Sequence, residues 1–317
     1  MATMKTLNGY GSNATELNGK AASDYLQKTD TAANSAKLGG KSPEYYIQPR
    51  NLLDNSDFRN PVNQRGATRY TTAHSYGIDR WKVGDVGNMW LTTDGPDEKN
   101  LTYTGTGDIN ISYIYQRFPT TLKAGRTYTL ATEFYFNNGL VALSSRANDL
   151  GEVEVSTTAD PSGILVLTFT PSADYTAEDN NTYIRIQASN TVGLRWAALY
   201  EGSYTADTLP PYVPKGYAAE LAECQRYYRR GMQGVTMGTQ YSNSGSLFSL
   251  SVPRMRIKPT TTLTDIFSQG WGNVAASNYT AGWTDNFGSS FYVNYISSVS
   301  DDVGKTVAVV YEMSADL

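Results

Sequence analysis

Tyr128-Thr129-Leu130-Ala131-Thr132-Glu133-Phe134-Tyr135-Phe136 is the stretch on which the fold turns. Tyr128, Leu130, Thr132, Phe134 and Phe136 recur at every second position, and only an extended chain puts such residues on one face. Tyr183, Arg185 and Gln187 oppose Ile184 and Ile186 in the same manner. Similar runs at 109–118, 164–170 and 194–200 are separated by clusters of Gly, Asn, Asp and Pro, residues that close turns. Regular spacing of such runs between Asn51 and Pro214 predicts a β-sandwich or jelly roll.

Composition points the same way. With 24 Tyr, 28 Gly and only 18% charged residues among 317, the chain favours strands and turns over solvated helices, so a mainly β protein is expected. The length accommodates two or three domains. A net charge of −4 without any Lys/Arg run argues against a nucleic-acid partner, which needs a clustered basic face. No apolar run approaches a membrane span, and Met1 to Tyr10 lacks the apolar segment of a signal peptide. A soluble chain is expected, neither inserted into a membrane nor exported by that route. The single cysteine, Cys224, excludes an internal disulfide, so life outside a cell would depend on burial or oligomerisation.

Four segments follow from shifts in pattern. Residues 1–50 are polar and repeat themselves: Leu17-Asn18-Gly19-Lys20 with Tyr25 returns as Leu38-Gly39-Gly40-Lys41 with Tyr46, offset by 21 residues. Neither copy can bury a core alone, so the segment is disordered or is ordered by stacking on identical chains. Residues 51–214 are the predicted sandwich, ending in the stiff Leu209-Pro210-Pro211-Tyr212-Val213-Pro214. Residues 215–231 are read as a helix, because Tyr217, Leu221, Cys224 and Tyr228 repeat at helical spacing with Glu220 and Glu223 early, Arg229 and Arg230 late, and Gly231 as the stop. Its seam either covers a sheet or packs on copies of itself. Residues 232–317 return to strands, at 246–252, 260–266, 290–296 and 305–312, as a smaller C-terminal β tip.

Equipment for catalysis is sparse. His74, the only histidine, has no nucleophile-elbow or metalloprotease spacing around it and reads as a surface or turn residue. Cys224 reads as a small hydrophobe on the helix seam. A glycosidase needs only two carboxylates, and Asp94-Asp97-Glu98, Glu178-Asp179 and Asp301-Asp302 are candidates by adjacency, although acidic residues in such loops normally just solvate them. The binding signal lies in loop aromatics. Sugars offer C–H faces ringed by hydroxyls, which aromatic faces stack on while amides and carboxylates hydrogen-bond. Trp271, Tyr279 and Trp283 with Asn273, Asn278, Asp285 and Asn286 have that mixture, whereas Phe287, Trp81 and Trp196 read as core.

Three blocks in order resemble parts of phage and prophage tail-fibre receptor-binding proteins. Leu17–Lys20 and 36–41 resemble shaft repeats. Asn51-Leu-Leu-Asp-Asn-Ser-Asp-Phe58, with Gln64-Arg-Gly66 and Asp79-Arg-Trp81, resembles the opening of a carbohydrate-binding-module-like jelly roll. Tyr217-Ala-Ala-Glu-Leu-Ala-Glu-Cys-Gln-Arg-Tyr-Tyr228 resembles the helix joining that module to a tip. The resemblance implies a non-enzymatic homotrimer that holds a bacterial surface glycan and meets other tail components through its N-terminal segment. It implies a virion protein made in the host cytoplasm and set free by lysis. No cofactor is required. Modules of the resembled type often hold a structural Ca2+, for which Asn55, Asp57 and Glu201 offer hard oxygen ligands, with an Asx-turn role for Asn55 and Asp57 as the plainer reading.

Overall fold

The computed structural model describes residues 16–17, 20–21, 49–93, 99–146, 163–176, 182–236, 245–251, 253–268, 272–273, 279–283, 290–295 and 306–315. The chain divides into two compact units, residues 1–49 with 208–211 and residues 50–207 with 212–317. In the first, β1 (Glu16–Leu17) and β2 (Lys20–Ala21) pair antiparallel with Leu17 opposite Lys20. The sequence between them is Asn18-Gly19, the strongest short hairpin signal.

The second unit is a jelly-roll sandwich followed by one helix and two smaller sheets. Its strands are β3 (Arg69–Tyr70), β4 (Lys82–Val83), β5 (Asn88–Thr93), β6 (Lys99–Thr104), β7 (Tyr113–Arg117), β8 (Tyr128–Asn137), β9 (Val141–Arg146), β10 (Gly163–Phe169), β11 (Tyr183–Ala188) and β12 (Thr191–Glu201). They form a six-stranded sheet in the order β10-β8-β12-β6-β5-β3 and a four-stranded sheet in the order β4-β7-β11-β9. From β7 to β12, successive strands alternate between the two sheets. Leu130, Phe134, Leu165 and Leu167 from the larger sheet meet Ile114, Leu143, Ile184 and Ile186 from the smaller one in a single core. Each such side chain contributes about 1.5–3 kcal/mol when fully buried. Trp81 and Trp196 are buried, as their strand-like surroundings predict.

Residues 51–58, the opening of the jelly roll, lie along β12 where β6 leaves it. Leu52 N–H donates to Leu199 O, Ala197 N–H to Ser56 O and Phe58 N–H to Arg195 O, at 2.9 Å each. Asn51 fastens this edge from its side chain, donating to Ala197 O and accepting from Leu53 and Leu199 N–H. Asn55 takes the left-handed conformation (φ 50°), which short amide side chains tolerate. Its amide holds the next loop by donating to Val62 O and Asp79 O and accepting from Val62 N–H. Trp81 edges onto Phe58 and donates its indole N–H to Asn55 O.

The helix is shorter than its seam suggests. α1 spans Tyr217–Cys224, a turn follows, and Tyr228 is already paired with Ser314. Arg229 and Arg230 therefore stand in a strand and do not complement a helix dipole. The expected helix over 215–231 fails because pairing across the next sheet competes for the same backbone groups. The buried side chains of α1 are Glu220 and Cys224, while Tyr217 is 47% exposed. The helix docks on the sandwich opening: Glu220 Oε2 accepts from Asn55 N–H at 2.6 Å, and Lys215 reaches Leu53 O and Glu223. Burial pushes the Glu220 carboxyl up to about 7.

Beyond α1, β13 (Tyr228–Thr236), β14 (Gly245–Ser251), β15 (Thr260–Ser268), β16 (Gly272–Asn273), β17 (Tyr279–Trp283), β18 (Ser290–Tyr295) and β19 (Thr306–Ser314) build two antiparallel sheets, ordered β13-β19-β15-β16 and β14-β18-β17. The joint to the sandwich is made by the Gln64-Arg65 and Asp79-Arg80 motif residues. Arg65 pairs with Asp79 at 2.6 Å and lies 3.9 Å from the Tyr228 ring centre. Arg80, paired with Asp54, lies 3.4 Å from the Tyr227 ring centre. Gln64 donates to Tyr228 O.

Candidate functional site: the outer face of the four-stranded sheet

Register decides which side chains meet on this face. Tyr115 in β7 faces Lys82 in β4 on one side and Arg185 in β11 on the other, and Arg185 in turn faces Ser144 in β9. Tyr113 lies opposite Gln187, and Tyr183 opposite Arg117. Because alternate residues share a face, all of these point away from the core side, where Val83, Ile114, Leu143 and Ile186 sit. The loop before β4 adds His74, held at φ 57°, and Tyr76, bridged to Lys82. Gly84 lets Tyr113 pass: a Cβ there would come within 2.9 Å of the Tyr113 ring.

The result is an aromatic strip edged with polar groups. Ring centres of Tyr115 and Tyr183 are 4.9 Å apart, Tyr113 and Tyr115 5.7 Å, Tyr113 and Tyr183 6.5 Å, and His74 and Tyr115 6.4 Å. The Arg185 guanidinium lies 4.9 Å from the Tyr113 ring centre, and Lys82 Nζ 4.4 Å from that of Tyr76. His74 Nε2 is 3.0 Å from Asp85, to which Tyr113 also donates. Gln187 donates to Ile109 O. Ser144 Oγ is buried without a partner among the described residues. Tyr113 and Tyr115 are 3% and 7% exposed and form the backing. Tyr76, Lys82 and Tyr183 are half-buried, while His74 and Asp85 are exposed. Burial raises the Tyr113 and Tyr115 phenols, and Tyr183 and Asp85 beside Tyr113 push the same way, so both stay neutral hydrogen-bonding groups.

The sequence-predicted site residues fall elsewhere. Trp271, Asn278, Asp285 and Asn286 lie outside the described residues, as do the acidic pairs at 94–98, 178–179 and 301–302. Asn273 stands in β16, opposite Phe267. Tyr279 and Trp283 begin and end β17, opposite Tyr295 and Phe291. These three belong to two different sheets of the tip.

The proposed calcium set does not converge. Asp57 is bridged to Trp196, whereas Glu201 is five residues further along β12, roughly 16 Å away at the rise of a strand. Asn55 spends its amide on Val62 and Asp79, Asp57 pairs with Arg59, and Glu201 pairs with Arg126. Among the described residues no three His, Cys, Asp or Glu side chains gather as a metal site.

In the sequence the alternation of Tyr183, Arg185 and Gln187 announces a strand but not which side chains stand beside it on the sheet face. The signal was present: Tyr113-Ile114-Tyr115-Gln116-Arg117 carries the same aromatic and cationic residues on one parity.

The chain matches no protein-family model and no curated protein. Among solved structures it is similar to a CBM4 structure, at 18% identity and a TM-score of 0.30 over 39% of this chain and 95% of that one. It is similar to the CBM22-1 xylan-binding domain of Paenibacillus barcinonensis Xyn10C, at 10% identity and 0.28 over 50% and 97%. It is also similar to the Stig cyclase Fisc of Fischerella sp. TAU, at 15% identity and 0.29 over 50% and 100%. A sandwich hosts many unrelated chemistries, so function has to be argued from the side chains. No helix among the described residues is long and apolar enough to cross a membrane.

Proposed function

We propose that this chain is an adhesion protein of the tail-fibre type, which holds a bacterial surface glycan on the outer face of its four-stranded sheet and does not cleave it. The observation that carries the reading is the pair of half-buried rings Tyr76 and Tyr183, backed by the buried Tyr115 and flanked by His74, Lys82 and Asp85. Rings supply stacking surfaces for the C–H faces of a sugar, and the charged groups beside them supply directional hydrogen bonds to hydroxyls. The tip stretch with Trp271, Asn273, Asn278, Tyr279, Trp283, Asp285 and Asn286 is the proposed second contact region. A trimer displaying several copies of a weak site gains avidity. The shaft-like repeats in residues 1–50 support assembly into a fibre, and hence a place on a virion, with the N-terminal segment meeting other tail components.

The test uses the full chain on an array of bacterial surface polysaccharides. Binding is expected, with Tyr183→Ala and Tyr76→Ala each weakening it about tenfold, the scale of one lost stacking contact. Incubation with the bound polymer is expected to release no new reducing ends. Absence of binding to every polysaccharide, or full binding by both variants, overturns the sheet-face reading, and new reducing ends overturn the non-cleaving part. A solution molar mass of three chains is the expected assembly.

A further inference from the structure

A cleft of about 530 Å3 lies on another part of the molecule, against the loop 60–68, β5 and the start of α1. Its size falls within the ordinary range for small-molecule sites. Its walls are Asn60, Pro61, Thr68, Leu91 and Tyr217, with Asn63 and Gly66 completing the lining.

Two features of the lining bear on what it could hold. First, every residue that lines it is uncharged. Of the nearby cations, Arg65 is engaged by Asp79 and the rings of Tyr76 and Tyr228, and Arg230, whose guanidinium is the group nearest Gly66, reaches Arg65 O and Glu312. Second, the polar groups on its rim are unspent. The Asn60 amide, the Thr68 hydroxyl and the Tyr217 phenol make no hydrogen bond among the described residues, and Tyr217 is 47% exposed.

The walls are also held by hydrogen bonds. Asn63 accepts from Gly66 N–H and Tyr70 Oη–H through its side-chain oxygen and donates to Ala67 O, which locks the turn. Gly66 sits at φ +76°, a conformation that a side chain would strain. The Tyr217 wall is carried by a helix pinned to the sandwich through Glu220 and Asn55 N–H. A preformed cleft loses little ordering entropy when it binds.

We infer that this cleft is a second carbohydrate subsite, taking an uncharged sugar ring that stacks on Tyr217 and hydrogen-bonds to Asn60 and Thr68. It shares with the sheet-face reading only the class of ligand, since Tyr183 belongs to a different sheet.

Calorimetric titration of the full chain with glucose, galactose, mannose, N-acetylglucosamine and maltose tests the idea. At least one is expected to bind, with Tyr217→Ala weakening it about tenfold and Asn60→Ala about fivefold, while Tyr217→Phe, which keeps the ring, stays within about threefold. Tyr183→Ala is expected to leave this binding in place. Circular dichroism and melting temperature verify that the variants fold, as substitutions at exposed positions should. The inference is overturned if none of the five sugars binds, or if binding survives both Tyr217→Ala and Asn60→Ala. Loss on Tyr183→Ala with full binding by the Tyr217 and Asn60 variants rejects the cleft and leaves the sheet face standing. Binding of glucuronate as tight as that of glucose rejects the assignment to uncharged rings.

Discussion

Glu220 sits at the joint between α1 and the sandwich, only 5% exposed, with one carboxylate oxygen bonded to Asn55 N–H and the other without a hydrogen-bond partner among the described residues. Burial is the largest influence on it and raises its pKa, Lys215 and the Asn55 N–H oppose that, and Asp54 and Glu223 add to it. The balance lifts the group from 4.5 to about 7. The folded chain therefore holds this proton more tightly than the unfolded chain, so the sign is opposite to that of a salt-bridged acid. The penalty of burying the charge is full above pH 7 and is relieved as pH falls towards 4.5. Integrated between pH 8 and pH 5, the linkage amounts to about 2–3 kcal/mol. The perturbation is Glu220→Gln, which keeps the shape and cannot ionise. Urea unfolding at both pH values, followed by tryptophan fluorescence, should show wild type gaining about 2–3 kcal/mol more than the variant on going from pH 8 to pH 5. Every other titrating group is common to both proteins and cancels in that difference. Parallel pH profiles, within about 0.5 kcal/mol, would refute the argument that the carboxyl is buried with its charge poorly compensated.

Two further outcomes follow from groups whose partners are known. Asn55→Ala strands Val62 N–H, Val62 O and Asp79 O, and places a Cβ residue at φ 50° without its amide, so a loss of about 3 kcal/mol or more is expected in thermal or urea unfolding; a loss under about 1 kcal/mol would mean water replaces the amide freely. Cys224 is fully buried and its thiol is pushed far up by burial, so an aromatic disulfide reagent at pH 8 should label the folded chain at least about a hundredfold more slowly than the urea-unfolded chain, and equal rates would show that the helix joint opens readily.

Much of the sandwich could be read in advance because the information is local. The alternating residues 183–187 all fall in β11, and the stretch 128–136 covers all of β8 but its last residue. Trp81 and Trp196 were recognisable as core from their strand-like neighbours. The helix was overextended because the spacing of Tyr217, Leu221, Cys224 and Tyr228 is compatible with a longer helix, and nothing near Gln225 announces that Tyr228 pairs with Ser314, some 86 residues away. The spread of Asn55, Asp57 and Glu201 is hidden in sequence for a related reason: Asp57 and Glu201 lie along the same strand line, but only the bridge between Asp57 and Trp196 fixes their spacing along it.

The amino-acid order alone determined that this is a strand protein with sparse catalytic equipment and an aromatic, weakly charged composition, since periodicity of two and residue counts need no long-range knowledge. Only the tertiary structure decided which outward-facing side chains keep company. Lys82, Tyr115, Arg185 and Ser144 become neighbours because β4, β7, β11 and β9 pair in that order and register. A shift of one residue in any of those pairings would turn the strip into the core, and the energy that prevents it comes from Val83, Ile114, Leu143 and Ile186 being buried on the other side.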